Sequence, residues 1–205
     1  IDRVIIDTKD VRSRFIVESP MHFNVWDKII RKEILDHNCI RFPEQVAYED
    51  IYFGALLHLY VRKVAYVDAI YYHYYINPAS TVLKKEAAYH GDIITVNEML
   101  VETLKERGFW ETYQKSLEID LLFIWYLATV KIICLRFEKP PYEMFCRLKR
   151  SILFYIPECL KNPYIPVYMK EFYQLLLKLL EIEVTPPVLD QVAEQYKQYV
   201  QTYEG

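Results

Sequence analysis

Residues 89–108 read YHGDIITVNEMLVETLKERG, and their apolar side chains are spaced as in an amphipathic helix. Successive apolar positions lie three or four residues apart, which places them on one helical face. Gly108 is well placed to end this helix, because glycine adopts the left-handed conformation at little cost. The apolar positions are Tyr89, Ile93, Val96, Leu100 and Leu104.

The chain beyond Gly108 shows the same helical behaviour. Residues 109–136, 142–155, 168–180 and 188–203 have apolar side chains at helical spacing, and prolines lie between most of these stretches. We therefore expect five helices after about residue 84, packed as a bundle-like extension.

The first 80 or so residues mix strand-like and helical patterns. Residues 14–18, 63–67 and 70–76 are predicted as short strands, because they are rich in β-branched and aromatic side chains. Asn24 is a candidate cap for one helix, and a second helix is predicted to begin near residue 49. The first helix would present Trp26, Ile29, Ile30 and Ile34, and the second Phe53, Leu56, Leu57 and Tyr60.

Together these patterns predict an α+β chain with two parts. Residues 1–83 form a mixed part with too few strands to cover its helices as a complete sheet domain, and residues 84–205 form the helical extension. Because the chain opens with Ile1 rather than Met, we expect it to be a piece of a longer protein.

The composition is that of a globular protein. Of the 205 residues 53% are hydrophobic and 26% are charged, which excludes disordered and collagen-like chains. The formal net charge of −3 argues against a nucleic-acid-binding protein, which would carry a basic excess. The longest apolar run, residues 121–130, is too short to cross a bilayer, which takes about 20 residues.

The cysteines indicate a reducing compartment. They stand at positions 39, 134, 146 and 159, without the spacing of a zinc site or a disulfide framework. We therefore expect the protein to be cytoplasmic.

Residues 42–50, FPEQVAYED, end in paired carboxylates at the predicted start of a helix. One interpretation is structural, because acidic side chains in a first turn stabilise the helix dipole. The other is catalytic, because a carboxylate held at a helix N-terminus can accept the proton of an attacking hydroxyl. The pair Glu49 and Asp50 alone does not decide between these interpretations.

The order of patterns around this pair is more specific. The string VWDKIIRKEIL at residues 25–35 is followed by FPEQVAYEDIYF at 42–53, by an aliphatic helix, and by KVAYVDAIYYHYYINPAST at 63–81. This succession resembles the C-terminal half of family 2 glycosyltransferases, the inverting enzymes of GT-A fold that build bacterial surface polysaccharides. The resemblance covers roughly residues 21–81, whereas residues 84–205 carry no recognised motif.

The resemblance implies transfer of a sugar, with inversion, from a nucleoside-diphosphate sugar to a surface-polysaccharide or glycolipid acceptor. It assigns Asp50 as the general base with Glu49 beside it, and it places Trp26, Lys28 and Tyr48 on the acceptor side. In that family an Asp-x-Asp motif of the N-terminal half holds a divalent metal on the diphosphate. We expect Mg or Mn in the intact enzyme and no metal bound by this chain.

Two of the acceptor-side residues also have a structural interpretation. Trp26 could be a core aromatic that pairs with Ile30 on an amphipathic helix. Lys28 lies on another stripe of that predicted helix and could simply be solvated.

The chain departs from the family pattern in several places. Gln45 stands where the family often has glycine, and no arginine lies near Tyr75 in the tyrosine-rich segment. No Asp-x-Asp occurs, and the nearest strings, such as Glu118-x-Asp120, lie within helical patterns. We therefore expect that the donor-binding half is missing and that this chain is inactive by itself.

The helical extension allows a second hypothesis. Residues 131–150 hold six basic and two acidic residues, which could bind an anionic membrane surface or form the solvated face of a bundle helix. The location would then be either cytoplasmic or peripheral at the cytoplasmic face of the membrane. The alternative to a transferase is a non-catalytic helical module for docking or homo-oligomerisation, because tyrosine is enriched at interfaces.

Overall fold

The computed structural model describes residues 2–18, 21, 23–75, 77, 80 and 84–203. This part of the chain is mostly helical and contains one small antiparallel sheet. The mixed α and β character predicted from the sequence is thus confirmed.

The sheet consists of β1 (Asp2–Ile5) and β2 (Lys63–Tyr66). The strands are antiparallel, with Asp2 opposite Tyr66 and Ile5 opposite Lys63. The strand predicted at residues 63–67 is therefore confirmed to within one residue. Within the described ranges no third strand joins this sheet.

Residues 14–18, predicted as a strand, lie instead in helix α1 (Lys9–Glu18). Thr8 caps this helix, because its Oγ1 accepts a hydrogen bond of 3.2 Å from the amide of Val11. The cap and the helical spacing of the buried side chains outweigh the strand-like composition that suggested the wrong element. The buried residues of α1 are Arg12, Phe15 and Ile16.

The helix predicted to begin at Asn24 does not form, and the next helix, α2 (Lys32–His37), is short. The Nζ of Lys28 donates to the carbonyl oxygen of Asn24 and to the carboxylate of Asp27, and the Asn24 side-chain amide also donates to Asp27. These side-chain bonds close a turn and compete with helical backbone bonds. The predicted apolar face is therefore absent, and Ile29 is fully exposed.

Helix α3 (Glu49–Tyr60) begins where the sequence predicts and forms the centre of the mixed part. Its residues 53–59 are all buried, as in a helix surrounded by protein. Gly54 allows Phe23 to pack directly on this helix, because a Cβ at that position would lie 2.5 Å from Phe23 Cδ1.

Residues 70–75 form no regular structure, so the predicted strand over 70–76 is wrong there, and residue 76 lies outside the described residues. Aromatic side chains favour a strand where a neighbouring strand can pair with it. Among the described residues β2 pairs with β1 alone, and residues 70–75 are left exposed.

The helical extension largely follows the prediction. Helix α4 (Asp92–Glu106) ends just before Gly108, whose φ of 72° is the left-handed conformation expected at a helix end. Helix α5 (Phe109–Leu121) continues through a π-helical segment (Leu122–Leu127) into α6 (Ala128–Leu135). The later helices are α7 (Tyr142–Tyr155), α8 (Ile165–Tyr168), α9 (Glu171–Leu177) and α10 (Pro186–Tyr203).

One predicted helix, residues 168–180, is interrupted. Met169 adopts an extended conformation, with φ −103° and ψ 130°, between α8 and α9. A 3₁₀ turn (Lys178–Leu180) then extends α9 to the end of the predicted range. Other 3₁₀ turns are formed by Ala88–Gly91 and Cys159–Lys161.

One hydrophobic core runs through both parts of the chain. It includes Leu56 of α3, Ile94 of α4 and Leu189 of α10, all of which are fully buried. Helix α1 packs against α5, and α3 packs against α4. The boundary between residues 83 and 84 falls beside residues outside the described set and stays a prediction.

The basic residues of the extension do not form one free surface. Arg147 donates to Thr95 Oγ1 and to Glu98, both at 2.9 Å. Lys149 donates to the carbonyl oxygen of Leu179 in the 3₁₀ turn after α9 and to that of Ile182 just beyond it. These contacts support the structural interpretation of residues 131–150. None of the helices in the described part has the length and apolar character needed to span a bilayer.

Candidate functional site

The paired carboxylates lie in the first turn of α3, as the sequence predicts. Glu49 is exposed and Asp50 is half-buried. The Asp50 carboxylate lies beside the first backbone amides of the helix, those of Asp50 and Ile51, and the Ile51 amide donates to the carbonyl oxygen of Tyr48 at 3.1 Å. Among the described residues no ion pair reaches this carboxylate.

The surroundings of Asp50 make it a stronger base than an ordinary aspartate. Burial raises the pKa of Asp50, and the negative charge of Glu49 raises it further. The two backbone amides and the positive charge of Lys28 lower the pKa but do not cancel the increase. A carboxylate with a raised pKa binds a proton more readily, as a general base must.

Lys28 lies close enough to the carboxylate pair for its charge to act on Asp50. Its side chain is only 14% exposed, so the interpretation of Lys28 as a simply solvated residue is wrong. The ammonium group already donates to Asn24 and Asp27. Its hydrogen bonds thus lie within the turn that carries Trp26, and only its charge acts on the start of α3.

Trp26 is not a core aromatic of a helix, because it lies in a turn and is 44% exposed. Its ring stacks on Tyr72 at a centroid distance of 4.9 Å and on Tyr74 at 5.2 Å, with interplanar angles of 25° and 27°. Tyr71 and Tyr75 are more than four-fifths exposed beside them. We call Trp26, Tyr71, Tyr72, Tyr74 and Tyr75 the aromatic surface.

Tyr48 precedes the carboxylate pair, and its hydroxyl is bound within the protein. The hydroxyl lies 2.5 Å from Nδ1 of the fully buried His90, whose Nε2 lies 2.9 Å from the carbonyl oxygen of Lys84. Because a carbonyl oxygen only accepts, Nε2 carries a proton, and in the neutral imidazole Nδ1 then accepts from the Tyr48 hydroxyl. Burial raises the pKa of Tyr48 to about 12. A contact between Tyr48 and an acceptor would therefore come from its ring.

The loop before α3 has an unusual backbone. Gln45 and Tyr48 have φ values of 60° and 64°, a left-handed conformation that costs a residue other than glycine about 1–2 kcal/mol. The amide of Ala47 donates to Asp92 Oδ2 at 3.0 Å, and the His90 bond holds Tyr48. Strained backbone of this kind is concentrated at functional sites.

Sequence reasoning missed the residues that support this loop. His90 and Asp92 lie more than 40 positions after the residues they bind, and no local pattern connects the two segments. The glycine that the family often has at position 45 was the only available signal, because glycine adopts positive φ at low cost.

The described residues do not form a set of ligands for a divalent metal. In the ranges described, no three His, Cys, Asp or Glu side chains come together. Glu118 is buried and bonded to Gln114, Lys115 and Asn162, whereas burial alone raises the pKa of Asp120 to about 8. These two carboxyl groups have separate environments and do not form a metal-binding site.

Comparison with known proteins identifies no family for this chain. No family model matches the sequence, and neither the curated proteins nor the solved structures include a match. The features on which a function can be argued are therefore the carboxylate pair, Lys28, the strained loop and the aromatic surface.

Proposed function

We propose that this chain is the C-terminal, acceptor-side part of an inverting family 2 glycosyltransferase of GT-A fold, with Asp50 as its general base. The observation that carries the proposal is the Asp50 carboxylate. It is half-buried at a helix N-terminus, its pKa is raised, and no described residue forms an ion pair with it. These are properties of a group that accepts a proton during a reaction.

The neighbourhood of Asp50 suits a sugar acceptor. The charge of Lys28 acts on Asp50, and its ammonium group is bound to Asp27, which follows Trp26 in the chain. Exposed indole and phenol rings can stack on the apolar face of a pyranose, and their polar atoms can bind its hydroxyl groups. The acceptor would be a surface polysaccharide or a glycolipid.

In the proposed reaction an acceptor hydroxyl loses its proton to Asp50 as its oxygen attacks the anomeric carbon of the donor sugar. The bond from that carbon to the nucleoside diphosphate breaks, and the configuration is inverted. Glu49 keeps the Asp50 pKa high through its negative charge. The nucleotide-sugar and a metal ion would be bound by a part of the enzyme outside this chain, and the enzyme would work in the cytoplasm or peripherally at the cytoplasmic face of the membrane.

The test is the substitution Asp50→Asn in the intact enzyme, with Glu49→Gln as the matched control. Loss of a general base is expected to lower kcat about 100- to 10,000-fold for Asp50→Asn, with a smaller decrease for Glu49→Gln. Trp26→Ala is expected to raise KM for the acceptor and to leave kcat nearly unchanged. Turnover of Asp50→Asn within a few-fold of the wild type would refute the assignment.

A stability measurement separates this loss from misfolding. Since the pKa of Asp50 is raised in the folded state, the folded protein holds the proton more tightly than the unfolded chain, and stability falls as the carboxyl ionises with rising pH. Asp50→Asn removes this cost and should unfold at the same or a higher temperature at neutral pH.

A further inference from the structure

A groove of about 460 Å³ lies between α9 and α10, far along the chain from the candidate site. The α9 side is apolar and includes Phe172, Leu175 and Leu179. The α10 side carries amides and hydroxyls, including Gln195 and Gln198. All of the residues that line the groove are uncharged.

Stacked aromatic rings form the floor of the groove, and exposed side chains form its rim. Phe172 and Tyr199 stack with their ring centroids 3.9 Å apart and their planes within 6°. At the rim Leu175 is 57% exposed and Tyr203 is 73% exposed. The exposed apolar side chains adjoin the apolar lining of the groove, and a continuous apolar patch of this kind is typical of a contact surface.

The charges that flank the groove complement each other. Glu171, Leu175 and Lys178 are spaced four and three residues apart, so they follow one stripe along α9 and its 3₁₀ turn, and all three are exposed. A negative and a positive charge thus lie on opposite sides of an exposed leucine. If two such stripes meet antiparallel at Leu175, each Glu171 lies beside a Lys178 of the other copy.

The α10 side of the groove can also complement a second copy of itself. In an interface between two identical copies related by a two-fold axis, each surface must complement itself. The amides of Gln195 and Gln198 both donate and accept hydrogen bonds, so the same groups from another copy can satisfy them. A row of like charges would be repelled, and the lining of this groove has none.

We propose that this groove is where two copies of the chain associate, with α9 and α10 of each copy packed antiparallel on the other around a two-fold axis near Leu175. The inference does not depend on the proposed glycosyltransferase activity. It assigns to the helical extension the dimer contact whose location the sequence leaves open.

The experiment measures the mass of the 205-residue chain by sedimentation equilibrium over a wide range of concentration. The acidic variant carries Leu175→Glu and Gln198→Glu, and the basic variant carries Leu175→Lys and Gln198→Lys. Both positions are exposed, so neither variant should unfold, which circular dichroism checks. The control is Phe154→Glu, another apolar residue, 77% exposed on α7 and outside the groove.

We expect the wild type and Phe154→Glu to dimerise alike. Each charged variant alone should dimerise about a hundredfold more weakly or worse, because like charges meet across the axis. An equal mixture of the two variants should recover the dimer, since opposite charges then meet. A wild type that stays monomeric, charged variants that dimerise like the wild type, or a mixture that stays monomeric would each overturn the proposal.

Discussion

Trp125 and Trp26 show how differently the two parts of the molecule use large aromatic side chains. Trp125 lies in the π-helical segment of the extension and is fully buried. Trp26 lies in a turn of the mixed part, 44% exposed and stacked on Tyr72 and Tyr74. The Trp125 ring fills the core of the extension, whereas the Trp26 ring lies on a surface where another molecule can reach it.

The largest expected effect is the difference in the free energy of unfolding between alanine substitutions of these two tryptophans. Trp125→Ala should lower the free energy of unfolding by about 3–5 kcal/mol, because it leaves a large cavity in a packed core. Trp26→Ala should lower it by less than about 1 kcal/mol, since the ring is partly solvated in the folded protein. Urea unfolding followed by circular dichroism measures both values, and similar losses would show that the turn is as tightly packed as the core.

The next effect is a pH dependence inside the extension. Burial raises the pKa of Asp120 to about 8, whereas in the unfolded chain it is about 3.9. Between these values the folded protein holds a proton that the unfolded chain has lost, so stability should fall as pH rises from about 4 to about 8.

Asp120→Asn should remove most of this fall and leave a flatter profile of melting temperature against pH. Asp190→Asn is the control, because it makes the same change at another half-buried aspartate of the extension, on α10. A profile that is equally steep in Asp120→Asn would locate the titrating group elsewhere.

A smaller effect concerns the contact that places the turn of Trp26 against α3. Gly54→Ala puts a Cβ 2.5 Å from Phe23 Cδ1 and 3.0 Å from its Cα, so the backbone near Phe23 must move. We expect a loss of about 1–3 kcal/mol and shifted NMR signals around Phe23 and His58, whose rings lie 5.2 Å apart.

Gly91→Ala is the matched control, because nothing lies within 4 Å of its added Cβ. The backbone there is helical, and the substitution should be neutral or stabilising by up to about 1 kcal/mol. Equal effects at both glycines would mean that Phe23 does not press on α3.

The smallest effect has the opposite sign. Gln45→Gly should stabilise the protein by about 0.5–1 kcal/mol, because glycine relieves the left-handed strain at φ 60°. Gln191→Gly, in the interior of α10, should instead destabilise it by about 1 kcal/mol. Thermal melting distinguishes a gain from a loss of stability. A lower melting temperature for Gln45→Gly would show that contacts of the glutamine side chain contribute more to stability than the relief of backbone strain.

The extension could be predicted because its information is local. The apolar spacing and Gly108 are enough to place α4. The proline pairs at positions 140–141 and 186–187 separate later helices of the extension. The mixed part could not be predicted equally well, because its structure depends on contacts that the local sequence does not show. Among the described elements no strand pairs with residues 70–75, and the turn at Lys28 depends on side-chain bonds. Only α3 and β2, whose patterns are unambiguous, were recovered there.

The candidate site divides in the same way. Glu49 and Asp50 lie at a helix start that the local sequence announces. The hydroxyl of Tyr48 instead binds His90, and the loop is tied to Asp92, through contacts that only the folded chain brings together. The acceptor-side roles of Trp26, Lys28 and Tyr48 stay predictions.

The contrast in burial between Trp26 and Trp125 gives the protein two built-in optical probes. An indole in water emits at longer wavelength and is quenched by acrylamide, whereas an indole in a dry core emits at shorter wavelength and is protected. Trp110, half-buried and 5.4 Å from the Lys105 ammonium, contributes a third, intermediate signal. A series of emission spectra along a titration can therefore report whether a denaturant or a ligand disturbs the turn beside α3 or the interior of the extension first.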